Sequence, residues 1–94
     1  MVDSPEPVGA RYPRAHTIYV ARDETHRQRM IREWGGEGVL MREGVKIIVP
    51  GWCYRGHRFR RIFVTDDAIR PPRAYDWFCD FLTHLLPDGN IIYL

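Results

Sequence analysis

The sequence predicts a small α/β fold, a β-α-β-β-α-β sandwich with a mostly parallel, four-stranded, Rossmann-like sheet. Three observations predict it: four short runs rich in β-branched and aromatic residues, helix-forming stretches inside two pairs of them, and apolar runs that are continuous instead of alternating. A strand with an unbroken apolar run is covered on both faces, which is the condition of a parallel sheet flanked by helices. The 94 residues leave room for one domain, with residues 1–16 a Pro-rich N-terminal extension and 17–94 the single α/β domain. At 45% hydrophobic and 13% aromatic, the composition supports a modest core and excludes a disordered or fibrous chain.

Each element has its own signal. Thr17-Ile18-Tyr19-Val20-Ala21, preceded by Pro13, reads as a first strand. Asp23 suits the N-cap of a first helix and Glu24 the positive end of its dipole, and Gly35-Gly36 stops that helix after Trp34. Its apolar stripe, Met30, Ile31 and Trp34, shares a face with Asp23 and Arg27, so only its C-terminal half can bury much. Residues 36–44 read as a glycine-punctuated connection, and 45–49 as a second strand ended by Pro50-Gly51. Residues 59–65 form a third strand that runs into Asp66-Asp67. A second helix is expected over 72–86, opened by Pro71-Pro72 and ended by Pro87-Asp88-Gly89, with Ala74, Trp77, Phe78, Phe81, Leu82 and Leu85 on one face. Asn90-Ile91-Ile92-Tyr93-Leu94 is the last strand. If both helices lay on one face of the sheet, side chains such as Ile48 or Phe63 would approach solvent on the other. A homodimer or a host protein covering that patch is therefore expected.

The formal charge is only +2, yet thirteen of the fourteen cationic residues are arginine, and Lys46 is the exception. Arginine carries a planar, always-charged fork suited to phosphate and carboxylate. Residues 51–62 contain Arg55, Arg58, Arg60, Arg61 and His57 with no acid, interleaved with Trp52, Tyr54 and Phe59. Guanidinium groups neutralise phosphates and aromatic rings stack on bases, so this segment is the candidate surface for nucleic acid or for an acidic protein. The structural alternative is that Trp52 and Phe59 belong to the core and that Arg60 and Arg61 point to opposite faces of a strand, one of them paired with an acid.

Asp66 and Asp67 follow an apolar strand, at the end of the sheet where α/β proteins bind ligands. Paired carboxylates there suit a hard cation such as Mg²⁺, and they equally suit the start of a turn. Arg27, on the first helix, is expected near the same crevice. Cys79 and His84, five positions apart on a helix, differ in direction by about 140° and cannot chelate together. No metal site and no catalytic group is assigned with Mg²⁺ set aside.

The segment Tyr54-Arg55-Gly56-His57-Arg58-Phe59-Arg60-Arg61, followed by Ile62 to Ala68, resembles the stretch leading into the Walker B strand of phage terminase and helicase-type ATPases. The resemblance covers residues 45–70. It implies that Asp66 stands where the family's magnesium-associated acid stands, and Asp67 where its catalytic acid stands. Asp67 is shorter than the glutamate usual there, Arg60 replaces a common acid, and the chain has no Gly-x-x-x-x-Gly-Lys-Ser/Thr loop. The implication is a degenerate half-domain and not an active ATPase. The make-up of the chain, small and arginine-rich, is also similar to that of small phage proteins from GC-rich, actinobacterial hosts.

No apolar run reaches the roughly 20 residues that span a bilayer, and the N-terminus lacks the basic and apolar regions of a signal peptide. The expectation is a soluble cytoplasmic protein, with Cys53 and Cys79 reduced and no membrane partner. The expected function is that of a non-catalytic, phage-encoded binding protein that contacts nucleic acid or an acidic partner through the 52–61 segment. The alternatives are a protein-interaction or assembly factor and, third, a metal-dependent phosphate enzyme using the paired aspartates.

Overall fold

Short β-branched runs become strands: β1 (Thr17–Val20), β2 (Val45–Ile48), β3 (Phe59–Val64) and β4 (Leu85–Tyr93). Between them lie α1 (Glu24–Trp34), α2 (Glu37–Glu43), the single-turn α3 (Asp66–Ile69) and α4 (Pro72–Phe81), which tightens into a 3₁₀ turn over Leu82–His84. This computed structural model describes residues 17–94, and the extension expected over residues 1–16 lies outside the described residues. The four strands form one sheet in the order β2-β1-β3-β4, and every neighbouring pair is parallel. The expected Rossmann-like α/β architecture is therefore present, with the sheet wholly parallel. Among the described residues no helix is long and apolar enough to cross a membrane.

Register decides which side chains go to which face. Ile18 and Val20 point to one face with their partners Ile62 and Val64, and Tyr19 and Phe63 to the other. The first face carries the larger core: Ile18, Val20, Ile48, Phe59, Ile62 and Val64 pack against Phe78 and Phe81 of α4. The second carries a smaller one, in which Ala21 and Ile47 meet Ile31 of α1 and Leu40 of α2. The helices thus lie on opposite faces and not on one. Right-handed crossovers explain it, because β1 to β2 and β3 to β4 step in opposite directions along the sheet. Ile48 accordingly is buried at 2% exposure, whereas Phe63 is half-buried.

Three boundaries differ from the sequence reading. Residues 37–43 are a helix and not a glycine-punctuated connection, because docking Leu40 against the small core offsets the roughly 1 kcal/mol cost of Gly38 in a helix. The Asp23 carboxylate caps α1 as expected, accepting from the His26 N–H at 2.8 Å. The second long helix stops at Phe81 instead of 86, and Leu85 already pairs with Phe59 in the sheet. From that pair to Arg61 opposite Asn90, β3 advances two residues while β4 advances five, so Pro87-Asp88-Gly89 bulges out of a strand and does not precede one. Glycine is required there: a Cβ on Gly89 would lie 2.8 Å from the Arg60 carbonyl oxygen and 2.6 Å from Leu85 Cδ1.

Candidate functional site

With no helix between β2 and β3, residues 49–58 must cross the sheet as bare loop on the face that also carries α4. The apolar side chains of this loop supply the cover that a helix would have given. Trp52 and Tyr54 pack against the larger core, and the Trp77 indole N–H donates to the Trp52 carbonyl at 3.0 Å. Tyr54 stands edge-on to Phe81 and to the His84 imidazole, and its hydroxyl donates to the Asp80 carboxylate. That bond pushes the Tyr54 hydroxyl above its ordinary range. The loop then turns at Tyr54-Arg55-Gly56-His57, closed by the His57 N–H on the Tyr54 carbonyl at 3.0 Å, with Gly56 at the positive φ of +80° that the third position of such a turn demands.

His57 turns inward as well. Its ring sits between Trp52 (4.8 Å) and Phe59 (6.2 Å), and its carbonyl lies 3.1 Å from His84 Nδ1, so a hydrogen bond there needs the His84 proton on Nδ1. The His57 Nδ1 itself is buried and has no partner among the described residues. Burial first, and then the nearby Lys46 and His84, hold the imidazole below its usual pKa. Phe59 is fully buried.

The arginines point the other way. Arg55, Arg58, Arg60 and Arg61 are all exposed. Arg60 binds Asp88 across the bulge, while Arg55, Arg58 and Arg61 have no carboxylate partner among the described residues. Arg61 lies opposite Thr17 and Asn90, on the same sheet face as α1 and α2 but outside the small core they form. The segment read from sequence thus separates into an inward aromatic set and an outward guanidinium set, and the latter spans the turn and the start of β3.

At the other end of the sheet the three remaining candidate residues diverge. Asp66 accepts from Arg70 at 2.6 Å, one turn along, in an exposed pair. Asp67 faces Arg22, which follows β1, at 3.3 Å, and also accepts from the Thr65 hydroxyl. Thr65, and then Arg22, hold the Asp67 carboxyl below the usual carboxylate range. Arg27 does not join them: its Nε donates to the Ile47 carbonyl at 2.8 Å and its Nη1 to Glu24 at 2.9 Å. The reason is register, since that face of α1 leans on β2 and not on the crevice beside β3. Among the described residues no three His, Cys, Asp or Glu side chains come close enough to hold a metal ion. Two aspartates bound to two different arginines do not fit Mg²⁺, which needs several oxygen ligands free to converge.

Sequence reasoning missed Arg22, Arg73 and Trp77, which line a groove with Asp67 at the C-terminal ends of β1 and β2. The signal for Arg22 was its position directly after a strand, the same rule that singled out Asp66 and Asp67. Arg73 and Trp77 carried no such signal, because they come from a helix whose docking only the tertiary structure fixes. The chain matches no protein-family model, no curated protein and no solved structure.

Proposed function

We propose that this chain is a non-catalytic α/β binding protein that engages nucleic acid, or another acidic partner, through the exposed guanidinium groups of Arg55, Arg58 and Arg61, with Arg60 beside them. The single observation that carries the reading is the outward placement of Arg55, Arg58 and Arg61 without carboxylate partners among the described residues. The mechanism is phosphate neutralisation with counterion release. Base stacking contributes little, because Trp52 and Tyr54 are packed against the core. The likeness in make-up to small phage proteins supports a phage-encoded factor working in the host cytoplasm.

Fluorescence anisotropy with short single-stranded and duplex DNA and RNA tests it. Three phosphate contacts predict micromolar-range binding whose log affinity falls against log salt with a slope of about −3 on duplex DNA. Arg58→Glu should weaken binding on every sequence alike. Absence of binding at low salt, or an unchanged affinity in Arg58→Glu, would overturn the reading.

A second reading, an assembly or interaction factor, rests on a different observation. Beyond the reach of α1 and α2, the sheet face carries half-buried Phe63 and Ile92, and Leu94 beside them is 64% exposed. A homodimer or host protein would cover this strip. Concentration-dependent sedimentation, lost in Phe63→Asp, would favour it, and a monomer at all concentrations without any captured partner would count against it.

A further inference from the structure

The order β2-β1-β3-β4 reverses its direction of winding between β1 and β3. The chain leaving β1 climbs onto one face of the sheet and the chain leaving β3 onto the other, so the crevice between their C-terminal ends is not bridged by a connection. Parallel sheets hold ligands at such a point. In this protein the crevice opens into a groove of about 470 Å³, within the range of small-molecule sites.

The groove has two kinds of wall. One is apolar and fixed: Ala68 and Ala74 are buried, and the Trp77 ring is clamped by its hydrogen bond to the Trp52 carbonyl and by stacking on Phe81 at 4.8 Å and 12°. The other is cationic. Arg22 is held by one nitrogen on Asp67, itself bound by Thr65, which orients the guanidinium and leaves its other N–H groups to donate. Arg73, from the first turn of α4, has no carboxylate partner among the described residues. Two guanidinium groups beside a rigid aromatic wall match a ligand with an oxyanion at one end and a flat ring at the other. The Asp67 and Asp23 carboxylates at the rim supply acceptors for hydroxyl or amino groups between those ends.

We propose that this groove binds a nucleoside monophosphate, with the phosphate between Arg22 and Arg73 and the base along the Ala74 and Trp77 wall. The site is separate from the 55–61 arginines, so either can exist without the other.

Titration of the full chain with adenosine 5′-monophosphate, followed by ¹H–¹⁵N correlation spectra, tests the proposal. The Trp77 indole and the Arg73 and Ala74 amides should shift, while the Trp34 indole, on the other face, stays in place. Adenosine alone and inorganic phosphate alone should each bind roughly 10-fold or more weakly, since each lacks one half of the recognition. Arg73→Glu, on an exposed site, and Arg22→Gln, which keeps a donor, should each weaken the nucleotide by roughly 10-fold or more with the spectrum otherwise dispersed as before. Arg58→Glu should leave this titration unchanged even where it abolishes polynucleotide binding, so failure of the one reading is distinguishable from failure of the other. The proposal is overturned if Trp77 and Arg73 stay unshifted at millimolar nucleotide. Shifts confined to residues 55–61, adenosine binding as tightly as its phosphate, or an unchanged affinity in Arg73→Glu would overturn it equally.

Discussion

The two faces of the sheet, one covered by the single β1–β2 crossover and the other by the β2–β3 and β3–β4 crossovers, differ sharply. Under α4 and the 49–58 loop, three phenylalanines and five aliphatic side chains of the sheet and helix are at most 3% exposed. Under α1 and α2 the buried set is four residues, and the rest is a ladder of half-buried rings: Trp34 edge-on to Tyr19 at 5.2 Å, and Tyr19 stacked on Phe63 at 4.6 Å. The helix sequences explain the contrast. α4 presents Ala74, Phe78 and Phe81 on one continuous stripe, whereas Arg27 of α1 occupies the position where a core residue would extend the stripe. The lesson is that the α4 face supplies most of the packing that holds the fold together.

Core truncations should expose this contrast most strongly. Phe81→Ala should cost about 3–5 kcal/mol in urea denaturation, enough to unfold much of a domain this small, while Leu40→Ala should fall near the lower end of the about 2–5 kcal/mol expected for a leucine. Equal losses would break the comparison. Next in size is Gly89→Ala, expected to destabilise by about 1–3 kcal/mol, since its methyl would meet both the Arg60 carbonyl and the Leu85 side chain. An unchanged denaturation midpoint would mean that the bulge does not fix the register of β4. On the open side, Phe63→Leu keeps an apolar side chain and loses the stack on Tyr19, for about 1 kcal/mol, and a loss as large as that of Phe81→Ala would show that the two faces are equally tight.

The smallest effect is one of pH, and it too should belong to the α4 face. Burial keeps His57 below its ordinary value of 6.5, so the unfolded chain takes up a proton before the folded one does. Stability is therefore complete above pH 6.5 and is lost as the pH falls from there through the lowered folded value. His26, at the start of α1, is shifted the same way by burial and then by Arg22 and Arg29. Melting curves between about pH 7 and 5 should show a falling midpoint, flattened more by His57→Gln than by His26→Gln if the α4 face dominates. The opposite order would assign the acid sensitivity to α1.

Much of this was legible in the residues. The strand cores Ile18, Val20, Ile62 and Val64, the Asp23 cap, the Pro71-Pro72 start of α4 and its apolar stripe all follow from local chemistry, because each rests on spacing within one element. The candidate site was legible only by halves. Arg55, Arg58 and Arg61 stood out as charge without a neighbouring acid, and a local count of residues suffices for that. Whether Trp52 and Tyr54 turned toward a ligand or toward the core depended on α4 lying beneath the loop, a contact 25 residues distant between Trp52 and Trp77.

By itself, then, the sequence determined that this chain folds as α/β with a parallel sheet, since continuous β-branched runs and amphipathic stripes leave the backbone few other ways to satisfy its hydrogen bonds and bury its apolar area. Only the tertiary structure decided that the helices take opposite faces, that Asp66 and Asp67 go to different arginines, and that Arg22, Arg73 and Trp77 meet around one groove. The reason is that crossover direction and strand order are properties of the whole sheet, and no single stretch of residues carries them.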